Sequence, residues 1–360
     1  MKNFKFCMFA CLLASCTSIG QWESNRETNE KSSNSILKAL SLAESKDELG
    51  EQSMNTDGSN FTNLTAHTQI NAGADKDPDV SNDGRWLAFS STRGSPTNDI
   101  YMNELGTHRV TQLTMDPGED IHPKIAPDGR SIAFSSNRHD CKFDIYVLPL
   151  FDRNGKRIHA TPIQITSNDR DNIHPSWSPD GNRLVYSSYN RQAETWEMWV
   201  YDHAERSHTM IGYGLLPEWS PDGKHIAYER FRNRDNRFAS VWVCDPDGSS
   251  PTEIVGDRDY GAITPGWSPD GKYIVFATVH KSAASRAEGR VTQGDDIWYI
   301  PAIGGTPVQV TTYAGPDSMP VWKLDKKGNS RIFFISNREG DQDRVFSAVP
   351  YTEEDLQQFN

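Results

Sequence analysis

An all-β fold, a six-bladed β-propeller, is predicted from the sequence by three observations: a turn that recurs six times, an aromatic-rich strand pattern around each turn, and one extra strand before the first repeat. The turn reads Ser81-Asn82-Asp83-Gly84, Ala126-Pro127-Asp128-Gly129, Ser178-Pro179-Asp180-Gly181, Ser220-Pro221-Asp222-Gly223 and Ser268-Pro269-Asp270-Gly271, with a degenerate sixth at Leu324-Asp325-Lys326-Lys327-Gly328. Its glycines are spaced by 45, 52, 42, 48 and 57 residues. Pro presets φ, Asp bonds its own backbone, and Gly takes the positive φ that closes a hairpin.

The flanks repeat with the turn. A Pro and usually a Trp precede it, as in Pro175 and Trp177, Pro217 and Trp219, Pro265 and Trp267, and Pro320 and Trp322. An apolar run follows, then a strand such as Asp99-Ile100-Tyr101 or Asp144-Ile145-Tyr146, then a short strand such as Gln112-Leu113-Thr114. Four strands in about 48 residues make one blade. The sixth repeat has no fourth strand after Val349, whereas Phe61-Thr62-Asn63-Leu64-Thr65 has that pattern and precedes the first repeat. It is therefore expected to be the outer strand of blade six, joining the chain ends and removing an open edge.

Residues 1–15 have the form of a lipoprotein signal peptide. Lys2 and Lys5 precede a short apolar stretch, and Leu13-Ala14-Ser15-Cys16 matches a bacterial lipobox. That apolar stretch is too short to span a bilayer. Cys16 is the expected lipidation site, and Thr17 after it favours the outer membrane, on its periplasmic side. Residues 16–60 are then a lipidated cysteine and flexible tether, 61–350 the propeller, and 351–360 a C-terminal tail. With Cys7 and Cys11 in the leader, only Cys141 and Cys244 remain in the repeats, two blades apart. They are expected to be free thiols.

The net charge is −12, and the residues after the leader carry −14. Such a balance lacks the basic footprint of a nucleic-acid binder. The membrane is expected to be met through the anchor only, and the chain is expected to be a monomer.

The pattern Pro-x-Trp-Ser-Pro-Asp-Gly, then Ile-Ala-Phe, Asp-Ile-Tyr and Leu-Thr, resembles the TolB-type (WD40-like) β-propeller repeat over about 61–350. Blades two, three and five fit best. The resemblance implies a propeller and an association with the cell envelope, where TolB engages a peptidoglycan-associated lipoprotein. Two departures mark the chain as a TolB-like lipoprotein, since TolB carries an α/β domain before its propeller and is usually soluble. The family also includes oligogalacturonate lyases, which hold a metal with histidines in the propeller channel, and prolyl-oligopeptidase-type enzymes, whose Gly-x-Ser-x-Gly motif is absent here.

Aligning the repeats with one another locates a candidate site. Immediately before each blade-entry Pro stand Asp77, His122, His174, Leu216, Thr264 and Met319, and three residues before it stand Asp75, Asp120, Asn172, Gly214, Ala262 and Asp317. Blades six and one to three thus supply polar groups, and blades four and five small or apolar ones. Asp75, Asp77, Asp120, His122, Asn172, His174 and Asp317 are the predicted channel-face binding residues. Arg230, Arg232, Arg234 and Arg237 are a predicted basic rim able to steer an acidic partner. Arg93 with Asp99, and Arg138 with Asp144, are expected to form structural ion pairs, and the repeated Trp residues to be core.

The leading expectation is a non-enzymatic module that docks an envelope protein or peptide and needs no cofactor. The alternative is a metal-dependent, oligogalacturonate-lyase-like enzyme whose divalent ion would sit on Asp77, His122 and His174.

Overall fold

In the computed structural model, the described residues are 61–69, 73–107, 109–152, 154, 156–231, 239–257, 259–280, 295–340 and 342–351. The leader, Cys16, the tether, Arg232, Arg234, Arg237 and the tail beyond Tyr351 lie outside them.

Among the described residues, twenty-four strands form six four-stranded antiparallel sheets. Blade one is β2 (Asp75–Val80), β3 (Trp86–Ser91), β4 (Asp99–Glu104) and β5 (Val110–Gln112). Blade two is β6 (Asp120–Ile125), β7 (Ser131–Ser136), β8 (Asp144–Pro149) and β9 (Ile163–Gln164). Blade three is β10 (Asp171–Trp177), β11 (Arg183–Asn190), β12 (Thr195–Asp202) and β13 (Ser207–Tyr213). Blade four is β14 (Leu215–Trp219), β15 (Ile226–Phe231), β16 (Ala239–Cys244) and β17 (Thr252–Val255). Blade five is β18 (Tyr260–Trp267), β19 (Tyr273–His280), β20 (Ile297–Pro301) and β21 (Val308–Gln309). Blade six is β22 (Asp317–Leu324), β23 (Ser330–Ser336) and β24 (Arg344–Pro350), completed by β1 (Phe61–Ala66). Within each blade the strands are called a to d from the channel outward.

The closing strand is where the sequence put it. β1 pairs antiparallel with β24, Phe61 opposite Pro350 and Ala66 opposite Phe346. The recurrent turns also form. Gly84, Gly129, Gly181, Gly223 and Gly271 all have φ between 64° and 72°. In four of them the turn serine donates to the turn aspartate, as Ser220 Oγ does to Asp222 Oδ1 at 2.6 Å.

The core is six clusters, one per seam between blades. Leu87 and Phe89 of β3 pack back onto Phe333 and Ile335 of blade six, whereas Ala88 packs forward onto Ile132 and Phe134 of blade two. A strand's alternation thus serves two neighbours at once. Trp219, Trp267 and Trp322 are buried in these seams, in keeping with their expected core role.

Candidate functional site: two mouths of one channel

Every a strand contains a bulge at its Pro and the residue before it. The register breaks between Lys76 and Asp79, Ile121 and Lys124, Ile173 and Ser176, Leu215 and Glu218, Ile263 and Gly266, and Ser318 and Val321. Pro has no N–H for the ladder, so a bulge is its natural place in a strand. The preceding residue is left-handed in all six blades: φ is 52° at Asp77, 54° at His122 and His174, 51° at Leu216 and Thr264, and 52° at Met319. None is glycine, so each carries backbone strain that its surroundings must hold.

The surroundings do so through the freed N–H. His174 N donates to Ser135 Oγ (3.2 Å), Leu216 N to Ser187 Oγ (3.1 Å) and Thr264 N to Glu229 Oε2 (3.3 Å), each on the b strand of the preceding blade. His122 N instead reaches Asp77 Oδ2 (3.2 Å), which also accepts from Ser90 Oγ (2.7 Å).

These six residues and their prolines surround a cavity of about 70 Å³. One half is polar. The His122 and His174 rings lie 3.7 Å apart at 37°, and His122 Nε2 is 3.8 Å from Asp77 Oδ1. Burial, and then the nearby Lys124 charge, lowers the His122 pKa to about 3. Burial, and then His122, lowers that of His174 well below the usual range. Both imidazoles are therefore neutral, which lets them stack. His174 Nδ1 and, across the ring, Thr264 Oγ1 have no hydrogen-bond partner among the described residues. The other half is Leu216 and Met319 with the prolines.

A metal requires donors aimed at one point. The two imidazoles present ring faces to each other, and among the described residues no group of three His, Cys, Asp or Glu is set to hold an ion. In this arrangement Asp77, His122 and His174 do not form a ligand set.

The residues three before the Pro are elsewhere. Asp75, Asp120, Asn172 and Asp317 are all 0% exposed. Arg93 Nη2 donates to Asp75 (2.6 Å), Arg138 Nη2 to Asp120 (2.9 Å) and Arg338 Nη2 to Asp317 (2.6 Å). Each guanidinium also rests on the Phe of its b strand, Phe89, Phe134 or Phe334. These carboxylates are braces inside the sheets and cannot meet a ligand in the channel. The expected pairing of Arg93 with Asp99 and Arg138 with Asp144 is corrected accordingly. Asp99 accepts from Gln112 and Thr114, and Asp144 from Gln164, Thr166 and Asn172. The bulge between the two candidate positions is the reason: it turns one side chain into the channel and leaves the other between the sheets.

Blades four and five lack the aspartate of this brace. Gly214 and Ala262 replace the aspartate, and a Cβ on Gly214 would lie 2.4 Å from the Tyr228 ring. In blade four a different acid is buried. Glu229, 1% exposed, stands where blades two and three use Ser135 and Ser187, and burial pushes its pKa up to about 8. A raised carboxyl binds its proton more tightly in the folded state. It contributes stability at low pH that is lost as pH rises from about 4.5 through about 8. Asp296, raised to about 7 by burial and then by Asp317, acts in the same direction. Glu229→Gln is expected to make the decline in stability between pH 5 and about 8.5 shallower, as read by urea unfolding at both pH values. An unchanged slope would show that Glu229 is not charging within the fold.

The a–b hairpin side opens as a larger funnel, about 310 Å³, which sequence comparison did not single out. The residue after each Pro contributes here: Asp79, Lys124, Ser176, Glu218, Gly266 and Val321. Lys124 of blade two reaches past blade three to pair with Glu218 of blade four. Glu218 Oε2 also accepts from Ser176 Oγ (2.8 Å), and Asp79 Oδ2 from Ile125 N (2.8 Å). Lys124 and Glu218 line both cavities, so their ion pair stands between the two mouths. Of the basic rim, Arg230 is exposed and stacks 5.0 Å from the Trp242 ring.

Comparison with known proteins agrees with this architecture. Residues 59–216 match the family model for the TolB beta propeller domain. Among solved structures, a protein assigned as TolB from Agrobacterium tumefaciens is similar at 20% identity, with 78% of this chain and 91% of that one covered and a TM-score of 0.56. An oligogalacturonate lyase from Vibrio parahaemolyticus is similar at 13% identity, with 84% and 96% covered and a TM-score of 0.55. An oligogalacturonate lyase in complex with manganese is similar at 13% identity, with 81% and 97% covered and a TM-score of 0.51. No curated protein matches the chain. Identities this low speak for the fold alone. The repeats and the six closed blades make this chain a six-bladed β-propeller, of which residues 59–216 match the TolB beta propeller domain.

Proposed function

We propose that the chain is an exported, lipid-anchored binding module of the cell envelope that docks a protein or peptide at the ring of Asp77, His122, His174, Leu216, Thr264 and Met319. On this reading Cys16 carries the anchor, the periplasmic side of the outer membrane is its location, and the propeller acts as a monomer. The observation that carries the reading is the size and character of that mouth. At about 70 Å³ it is far below the ~300–1,000 Å³ of small-molecule sites, yet it suits one inserted side chain. Its unpartnered His174 Nδ1 and Thr264 Oγ1 supply hydrogen-bonding capacity, and its apolar half supplies a contact surface.

The test is capture from crosslinked envelopes by the wild-type chain and by His174→Ala with Thr264→Ala, whose Nδ1 and Oγ1 have no hydrogen-bond partner among the described residues. Both residues sit at a bulge, outside the seam cores, so melting is expected to hold within a few degrees while capture of the envelope partner falls about tenfold. Undiminished capture would move the site elsewhere. Cleavage of oligogalacturonate that chelation abolishes would replace the binding reading with the lyase one.

A further inference from the structure

The opposite mouth carries chemistry that peptide docking at the small ring does not use. Three carboxylates, Glu218, Asp79 and Asp77, act on the Lys124 ammonium, and together they outweigh its burial and hold its pKa above the ordinary value. Lys323 bears on Asp79 from the side. Burial raises the pKa of Asp79, so Glu218 is the carboxylate that carries the pairing on the funnel side. The site thus already grips one organic cation, tethered to its own chain.

Its walls suit such a guest. Trp177, Trp219, Trp267 and Trp322 and the turn prolines line the funnel. These surfaces take the methylenes and planar face of a long basic side chain. Trp177 and Trp267 donate their indole N–H to the Lys124 and Glu218 carbonyls (3.1 and 3.0 Å). Trp219, only 6% exposed, is held in its seam with the Arg183 guanidinium 4.7 Å from its ring, so it is a fixed part of the wall. A metal ion would want a cage of oxygens, which indoles and prolines do not offer.

We propose that the a–b funnel is a binding site for a peptide's arginine or lysine side chain, which takes the place of the Lys124 ammonium on Glu218 beside Asp79. Exchanging one cation for another avoids leaving a buried carboxylate unpaired, so Lys124 acts as a built-in competitor. The site shares Lys124 and Glu218 with the small ring but opens on the other side, and its test uses a free peptide and not the envelope partner.

The probe is the blocked pentapeptide Ac-Gly-Gly-Arg-Gly-Gly-amide, titrated into the purified chain by tryptophan fluorescence and calorimetry, alongside its citrulline counterpart, which keeps the shape and drops the charge. The arginine peptide is expected to bind about tenfold more tightly than the citrulline one, and to weaken as salt rises. Glu218→Gln should lose about tenfold, Lys124→Met should gain several-fold by removing the competitor, and Lys156→Met, an exposed lysine that lines neither cavity, should change nothing. Equal binding of the two peptides, no saturable binding of either, or weaker binding by Lys124→Met would overturn the proposal. So would full displacement of the arginine peptide by equimolar calcium. Lys124→Met keeps the test decisive if Glu218→Gln melts early.

Discussion

A chain that starts at His67 is expected to lose more than about 4 kcal/mol of stability, or to aggregate on heating, whereas one that starts at Ser59 melts like the full chain. The difference between them is β1. Its Phe61, 2% exposed, fills the seam between blades five and six with Trp322, Phe334 and Phe346. Arg331 donates to Asn63 O (2.6 Å) and Thr65 Oγ1 (3.1 Å), so its guanidinium loses these two acceptors and keeps those of Ser347 on β24. Without β1, β24 becomes an open edge, a template for pairing between chains. Circular dichroism melts of the two truncations decide the matter, and equal midpoints would refute closure by this strand.

The second large effect belongs to the buried braces. Arg138→Met leaves the Asp120 carboxylate, 0% exposed, without its guanidinium, at a cost of about 3–5 kcal/mol. The double variant Asp120→Ala with Arg138→Met is expected to recover most of that loss. The protein itself contains the precedent, because blade five holds Ala262 at the equivalent place, fully buried, and packs without the pair. Urea unfolding of the two single variants and the double one gives the coupling directly. A double variant as unstable as Arg138→Met alone would mean that packing of the guanidinium on Phe134 and Tyr146, and not the charge, is what blade two needs.

What the sequence disclosed follows from the range over which each signal acts. The Ser-Pro-Asp-Gly turns are local, and their chemistry sits in four consecutive residues. The β1 closure was legible because the outer strands share the pattern seen in Gln112-Leu113-Thr114. The residues before the prolines were legible as a ring for the same reason, and the structure gathers Asp77, His122 and His174 on one side of it. The braces misled, since Asp75, Asp120 and Asp317 recur as regularly as channel residues do. Only the bulge separates the two sets, and a bulge changes which way a side chain faces without changing its spacing in the sequence. The Lys124–Glu218 pair lay beyond reach for a different reason. Its partners are 94 residues apart and belong to non-adjacent blades. The position after the proline, read across the repeats as Asp, Lys, Ser, Glu, Gly and Val, was the signal that could have suggested it.

The six left-handed residues at the small mouth separate two tasks that most binding sites combine. Their left-handed backbone belongs to the bulge at each proline, with the freed N–H anchored in four of the blades by a side chain of the blade before. Asp77 is the exception to that separation, because its carboxylate is itself the anchor of His122 N. The other anchors are Ser135, Ser187 and Glu229, outside the ring, and the chain carries five different side chains at the six positions: Asp, His, His, Leu, Thr and Met. Recognition at the other five can therefore be rewritten one blade at a time while the instructions for folding stay intact. The ring is in effect a dial of five free settings and one, Asp77, that is part of the frame, open to descent by single substitutions and to deliberate reprogramming alike.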